Sequence, residues 1–148
     1  MSRISRNGER IVVRIAADAN VLLAAVVGGR ARLVLTHAKV EEVLTTEGII
    51  AEVEEYASLL AQKKRLKADS VLLAVASLPV TIVDRSQYSK SLAEARRRIG
   101  ARDPDDADLL GLALEYRIPV WSNDRDFEDA GVERFTTEDL LRRLGIIK

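Results

Sequence analysis

The sequence contains no cysteine and only one histidine, His37. Without thiols there are no disulfides, no thiolate nucleophile and no zinc–thiolate site. A single histidine also excludes a multi-histidine metal site built within one chain. Any hydrolytic chemistry must therefore be carried by carboxylates. The missing cysteine fits a reducing cytoplasm. No apolar run approaches the ~18 residues that span a bilayer, and residues 1–10 are polar and basic, without the apolar stretch of a secretory signal. These absences predict a soluble, cytoplasmic protein with no membrane partner. Neither sign of charge is in excess, since Lys+Arg and Asp+Glu both number 23. A nucleic-acid partner would have to be drawn by a local basic patch and not by overall charge.

What is present suits one domain. The chain has 148 residues, and 47% of them are hydrophobic, enough for a core. Residues 1–10 read as a flexible lead-in and 11–148 as the domain. The run 11–17 (IVVRIAA) is β-branched and apolar, and predicts a buried strand that ends at Asp18. Helices are expected over 20–27 and 30–36, around Gly28-Gly29, then a strand over 40–45. Ile49, Ile50, Val53, Tyr56, Leu59 and Leu60 recur at helical spacing and predict a long helix over 47–64. A helix over 66–76, a strand over 80–84 after Pro79 and a basic helix over 87–99 closed by Gly100 follow. Asp103-Pro104-Asp105-Asp106 opens the next helix, with a capping carboxylate, proline in the first turn and acids near the positive end of the dipole. That helix runs to Tyr116. Strands over 118–121 and 132–135 and a helix over 136–144 complete the chain, with Thr136 and Asp139 spaced as a capping box. The alternation predicts a three-layer α/β/α fold around a mostly parallel sheet of four to five strands. Sites in such sheets form beyond the carboxyl ends of the strands.

Acidic residues follow several of these strands. Asp18 follows the first strand, and Asp124 lies just past the fourth. If those strands are neighbours, both acids occupy one edge. Asp106 in the first turn of its helix, and Glu52 one to two turns into the long helix, could reach the same place. Four carboxylates crowded together raise one another's pKa unless a cation offsets the repulsion. Mg²⁺ and Mn²⁺ prefer oxygen ligands, and such an ion can support attack of water on a phosphodiester. Each residue also has a purely structural reading. Asp18 could cap a helix, Glu52 could be solvated like Glu54 and Glu55, the acids from Asp103 to Asp108 could serve the helix dipole, and Asp124 and Asp126 could form turns. Asp105 is adjacent to Asp106 and could take its place, and Asp126 could share the work of Asp124.

Four motifs in order carry a resemblance. They are the apolar strand followed by Asp18-Ala19-Asn20; Thr46 several residues before Glu52; Asp106 opening the small-residue helix to Ala113; and Ser122-Asn123-Asp124-Arg125-Asp126-Phe127. Over residues 11–143 the sequence resembles the PIN-domain family, including the VapC-like toxins of toxin–antitoxin pairs. The resemblance implies a Mg²⁺- or Mn²⁺-dependent endoribonuclease acting on single-stranded RNA, with an antitoxin protein as partner and a homodimer as the assembly. It implies Asp18, Glu52, Asp106 and Asp124 as the acidic, metal-binding catalytic set. Asn20, Thr46, Ser122, Asp126 and Asp105 would be auxiliary groups.

Two basic clusters, Lys63-Lys64-Arg65 with Lys67 and Arg96-Arg97-Arg98 with Arg102, could contact phosphates or simply be solvated helix faces. The second cluster leads into the Asp103 turn, so Arg96, Arg97, Arg98 and Arg102, with Arg125, are the candidate RNA contacts. Trp121 is expected in the core, Tyr56 in the core or an interface, and His37 at the surface. Three other functions were weighed: a non-catalytic RNA- or protein-binding scaffold of the same fold, a Mg²⁺-dependent phosphatase and a receiver-like phospho-acceptor. The phosphatase needs a second Asp where Asn20 stands. The receiver needs a phosphorylatable Asp after a central strand and a later strand-end Lys, and neither is clear here.

Overall fold

The apolar run Ile11–Ala17 becomes the central strand of a sheet because its side chains can be covered on both faces, with Val13, Ile15, Ala16 and Ala17 buried. The computed structural model describes residues 3–4, 11–100 and 103–148. A two-residue strand, Arg3–Ile4 (β1), pairs antiparallel with the start of Ile11–Ala17 (β2). The other strands are Val40–Thr46 (β3), Thr81–Val83 (β4), Val120–Trp121 (β5) and Arg134–Phe135 (β6). From β2 onward every pairing is parallel, in the order β4-β3-β2-β5-β6. The sheet thus has five parallel strands, as the alternation predicted, and β2 and β5 are neighbours. The lead-in expected over residues 1–10 falls outside the described residues except for Arg3–Ile4, which are paired and not free.

Among the described residues seven helices cover the sheet: Ala19–Val26 (α1), Ala31–Leu35 (α2), Glu47–Lys63 (α3), Ala68–Ala76 (α4), Leu92–Ile99 (α5), Pro104–Tyr116 (α6) and Thr137–Arg143 (α7). Helices α1, α3 and α4 pack on one another, and α5 packs on α6. Right-handed crossovers put these two groups on opposite faces, because the path runs β2 to β3 to β4 in one direction and then returns past β2 to β5. The direction reverses between β2 and β5, where a crevice opens beyond the strand ends. The capping box of α7 is present, with Thr136 Oγ1 accepting from the Asp139 N–H and Asp139 accepting from the Thr136 N–H, both at 3.0 Å. Gly100 closes α5 with φ +81°, a conformation costly for any residue with a Cβ.

Two expectations need correction. The basic helix does not begin at Gln87 but at Leu92, after two short 3₁₀ turns, Arg85–Gln87 and Ser89–Ser91. Asp84 accepts from the Ser86 N–H at 3.1 Å and holds the first turn, while Tyr88 is pinned between the turns by its hydroxyl. Asp108 of α6 provides that pin. Its Oδ2 accepts from Tyr88 Oη at 2.8 Å and from Arg85 Nε and Nη2 at 3.0 and 2.8 Å. Local side-chain bonds thus outcompete the regular helix. Of the two places expected for Tyr56, core or interface, its half-exposure removes the core, whereas Trp121 is fully buried as expected. The strands expected over 118–121 and 132–135 pair over only two residues each. Pro119 has no N–H to donate, which shortens β5. Among the described residues, no helix is long and apolar enough to cross a membrane.

Candidate active site

Parallel strands point their carboxyl ends the same way, so the residues after them share one edge. Asp18 follows β2, Glu47 follows β3, Asp84 follows β4 and Ser122 follows β5. The register fixes this arrangement, with Ala17 opposite Trp121 and Thr46 opposite Val83. Asp84 is already committed there. Its Ser86 hydrogen bonds hold its carboxyl below the usual range, and the Glu47 carboxyl lies within hydrogen-bonding reach.

Asp18 is 6% exposed and performs two tasks. Its Oδ1 accepts from the Val21 N–H at 3.0 Å and caps α1. Its Oδ2 accepts from the Ser122 hydroxyl, across 104 residues of sequence. Ser122 Oγ in turn accepts from the Asp124 N–H at 3.0 Å, so one buried hydroxyl joins the two strand-end acids. Burial pushes the Asp18 carboxyl above its ordinary pKa, and the charge of Asp124 adds to that push. The Ser122 and Val21 bonds pull the other way. The Asn20 side chain is exposed, and its contribution is a backbone bond to Asp18. Thr45 is fully buried and donates to the Ala17 carbonyl at 3.0 Å, fixing the residue before Asp18. Thr46, also buried, caps α3 by accepting from the Ile49 N–H at 3.1 Å.

The first turn of α6 supplies the remaining acids. Asp106 is pushed up to about 7, first by burial and then by the charges of Asp103, Asp126, Asp124 and Asp18. It therefore lies within electrostatic reach of the Asp18–Asp124 group. Glu52 is also pushed up to about 7, by burial, then by a hydrogen bond and charge from Asp105, then by Asp103 and Asp106. The structure thus gathers the acids in two linked groups. Asp18, Asp106, Asp124 and Asp126 share one field, and Glu52 pairs with Asp105. Among the described residues, no three of these side chains are already close enough to hold a metal ion. The donor set nevertheless fits a hard divalent cation. It consists of carboxylate oxygens, and three of the acids have proton affinities raised by crowding and burial, which a cation would relieve.

A pH dependence follows from these shifts. Glu52 and Asp106 bind protons more tightly in the fold than in the unfolded chain, whose acids titrate near ~4. Without divalent ions, their contribution to stability is greatest at low pH and falls away as pH rises from ~4 to about 7. Melting in EDTA should record a declining Tm across this window, and Mn²⁺ should flatten the decline. A Tm that rises throughout the window in EDTA would contradict it.

The basic candidates divide by their partners. Arg97 Nη2 lies 2.5 Å from Glu94 and Arg98 Nε 2.7 Å from it. These bonds, Arg97 first, hold the Glu94 carboxyl down to about 2. Arg98 also donates to the Ala130 carbonyl at 3.1 Å. Arg96 and Arg125 are exposed, and Arg102 lies outside the described residues. Lys63, Lys64, Arg65 and Lys67 are all exposed at the far end of α3. His37 accepts from the Lys39 N–H and lies in a loop away from the acids.

Two contacts around the Asp124 loop had no warning in the sequence reading. Asn123 Oδ1 accepts from the Thr137 N–H at 2.9 Å, and Trp121 Nε1 donates to Thr137 Oγ1 at 3.0 Å, so the loop is tied to the start of α7. Arg134 of β6 donates to the Ser122 carbonyl and to Glu128, both at 3.1 Å. The Thr136–Asp139 capping box, legible in sequence, marked where Thr137 would be but not what it would hold.

Comparison with known proteins agrees with this architecture. The family described as PIN domain matches residues 16–145. No curated protein sequence matches the chain. Among solved structures, PAE2754 from Pyrobaculum aerophilum is similar with a TM-score of 0.70 at 15% identity, over 91% of this chain and 97% of that one. The VapBC2 complex from Rickettsia felis, bound to a promoter DNA fragment, is similar with a TM-score of 0.61 at 15% identity, over 84% and 98%. VapC20 of Mycobacterium tuberculosis, a toxin that cleaves the sarcin–ricin loop, is similar with a TM-score of 0.57 at 19% identity, over 80% and 95%. At such identities the likeness to these structures is one of fold.

Proposed function

Because the chain belongs to the PIN-domain family, we propose that it is a metal-dependent endoribonuclease that cuts single-stranded RNA in the cytoplasm, as the toxin of a toxin–antitoxin pair. One observation carries the reading. Asp18, Asp106 and Asp124 share one field at the reversal point of a parallel sheet, with the Glu52–Asp105 pair beside them. Such crowding is unfavourable without a cation. Asp18, Glu52, Asp106 and Asp124 would hold Mg²⁺ or Mn²⁺ between them. The ion, when bound, supplies Lewis-acid stabilisation of phosphoryl charge and a more acidic water. Ser122 ties the Asp18 carboxylate to the backbone N–H of Asp124, and Thr46 fixes the start of the helix that carries Glu52. Asp126 adds negative charge at Asp106, and Asn20 supports Asp18 through its backbone. Arg96 and Arg125 are the better phosphate contacts, because Arg97 and Arg98 already serve Glu94.

The neighbours support the rest. Cleavage of the sarcin–ricin loop is what the VapC20 toxin does, and a toxin–antitoxin complex from Klebsiella pneumoniae shares the fold. An antitoxin, or a second copy in a homodimer, would find apolar surface between α1, α3 and α4. A groove of about 430 Å³ there is lined by Val26, Ala57, Leu60, Ala61, Leu66 and Val71, with Leu59 and Leu73 exposed nearby.

Purified protein incubated with a panel of single-stranded RNAs should cut at least one with Mn²⁺ or Mg²⁺ and stop in EDTA. Cleavage that survives EDTA would remove the metal from the mechanism. RNA binding with no cleavage under either ion would leave the non-catalytic scaffold as the better reading.

A further inference from the structure

Helix α3 begins Glu47-Gly48, and the glycine is unexpected. Gly48 does not adopt positive φ, so the backbone does not require it. It is exposed in the first turn of a 17-residue helix, where residues with a side chain generally favour the helix more. A Cβ at this position would lie 2.6 Å from Asp105 Oδ1 and 3.5 Å from Asp105 Cγ. Among the described residues and apart from the local helix backbone, the other neighbour within 4 Å would be Thr46 Oγ1, at 4.0 Å. The one group that a side chain here would displace is therefore the Asp105 carboxylate.

Gly48 and Glu52 are four residues apart, which stacks them on one face of α3. Asp105 lies across that face, over the bare Cα of Gly48 and within hydrogen-bonding reach of the Glu52 carboxyl. Asp105 is itself steadied by its N–H, which donates to Asp103 Oδ1 at 2.9 Å in the cap of α6. We propose that Gly48 and Asp105 are positioning residues for Glu52: the absent side chain at 48 seats Asp105 against Glu52, while its neighbour Asp106 serves Asp18 and Asp124. The two adjacent acids of α6 thus have different partners and are not alternatives for one role. Seated on the face of α3 that carries Glu52, Asp105 adds a second carboxylate to the oxygen donors that would hold an ion there. That last step rests on the metal-dependent reading above.

The test uses the full chain and Gly48→Ala, Asp105→Asn and the double variant. Mn²⁺ affinity is measured by calorimetry, and the ¹³Cδ resonance of Glu52 is followed at one fixed pH in EDTA. Gly48→Ala should melt no lower than the parent in EDTA, because only a mobile carboxylate has to move. It should bind Mn²⁺ about tenfold more weakly or worse, as should Asp105→Asn. The double variant should be no weaker than Asp105→Asn alone, since both changes remove the same contact. The Glu52 resonance should shift in both single variants. Parent-like Mn²⁺ affinity in Gly48→Ala, additive losses in the double variant, or an unmoved Glu52 resonance would each overturn the assignment. If the parent binds neither Mn²⁺ nor Mg²⁺, the metal-dependent function fails, and the Glu52 resonance still decides whether Gly48 and Asp105 position it.

Discussion

Asp18→Asn is expected to lower RNA cleavage by about a thousandfold or more, since a charge aimed at the reacting centre is removed from a buried site. The fold should survive this change. Asparagine caps helices as well as aspartate does, so the bond from the Val21 N–H is retained. The side-chain amide can donate to the Ser122 hydroxyl, which now donates to Asp18. The substitution also removes a charge that burial and Asp124 both disfavour, so in EDTA at neutral pH the variant should melt at or above the parent temperature. Single-turnover cleavage and a melting curve on the same preparation check both halves. Activity within about tenfold of the parent, with the fold intact, would remove Asp18 from the mechanism.

Asp108→Ala is expected to do the reverse. Asp108 is two residues from Asp106, but successive helical positions turn by about 100°, so it faces inward when Asp106 faces the edge. There it accepts the hydroxyl of Tyr88, which is 2% exposed, and the guanidinium of Arg85. Burial, with Asp108 beside it, holds the Tyr88 hydroxyl well above its usual pKa, so the hydroxyl remains a donor. Arg85 is largely exposed, so the ion pair itself contributes little. The cost comes from stranding a buried hydroxyl and opening a void, roughly 2–3 kcal/mol. For a domain of this size that corresponds to a fall in Tm of roughly 5–10 °C. Cleavage per folded molecule should change little below the new Tm. A variant that melts like the parent but no longer cuts RNA would make Asp108 a member of the active site after all.

These two residues also mark how far the sequence could be read. Asp18 was legible because an apolar run fixes its strand, and the strand end fixes the position of the residue after it. Ser122 and Asp124 were legible for the same reason once β5 was set beside β2, although that adjacency rested on an assumption about strand order. The acids of α6 were legible as a helix start and not as individuals. Which of Asp105, Asp106 and Asp108 faces the edge depends on the rotation of the helix, and that rotation is set by Tyr88 and Arg85, about twenty residues upstream. The same contact explains why α5 starts five residues later than its basic composition suggested. Arg97 and Arg98 were read as phosphate contacts, although their spacing from Glu94 already placed them within its reach. Gly48 was passed over because a glycine in the first turn weakens a helix without ending it. Its meaning lies entirely in a side chain from the far half of the chain.

The bond between Ser122 and Asp18 has a consequence for the making of the protein. A chain emerging from the ribosome folds from its N-terminus as it lengthens. Asp18 and Glu52 are then available well before their partners, and α1 and α3 can form around them without delay. The edge on which they stand has no Ser122, no Asp124 and no β5 until about 100 further residues beyond Asp18 have been joined. The Asn123 and Trp121 tethers need Thr137 as well. A chain made only as far as α3 therefore presents the acids of its first half without the groups that aim them, and on this reading nuclease activity waits until residues 122–137 have been joined and have folded. The aiming of the first acids is thus delayed until the second half of the sheet is in place.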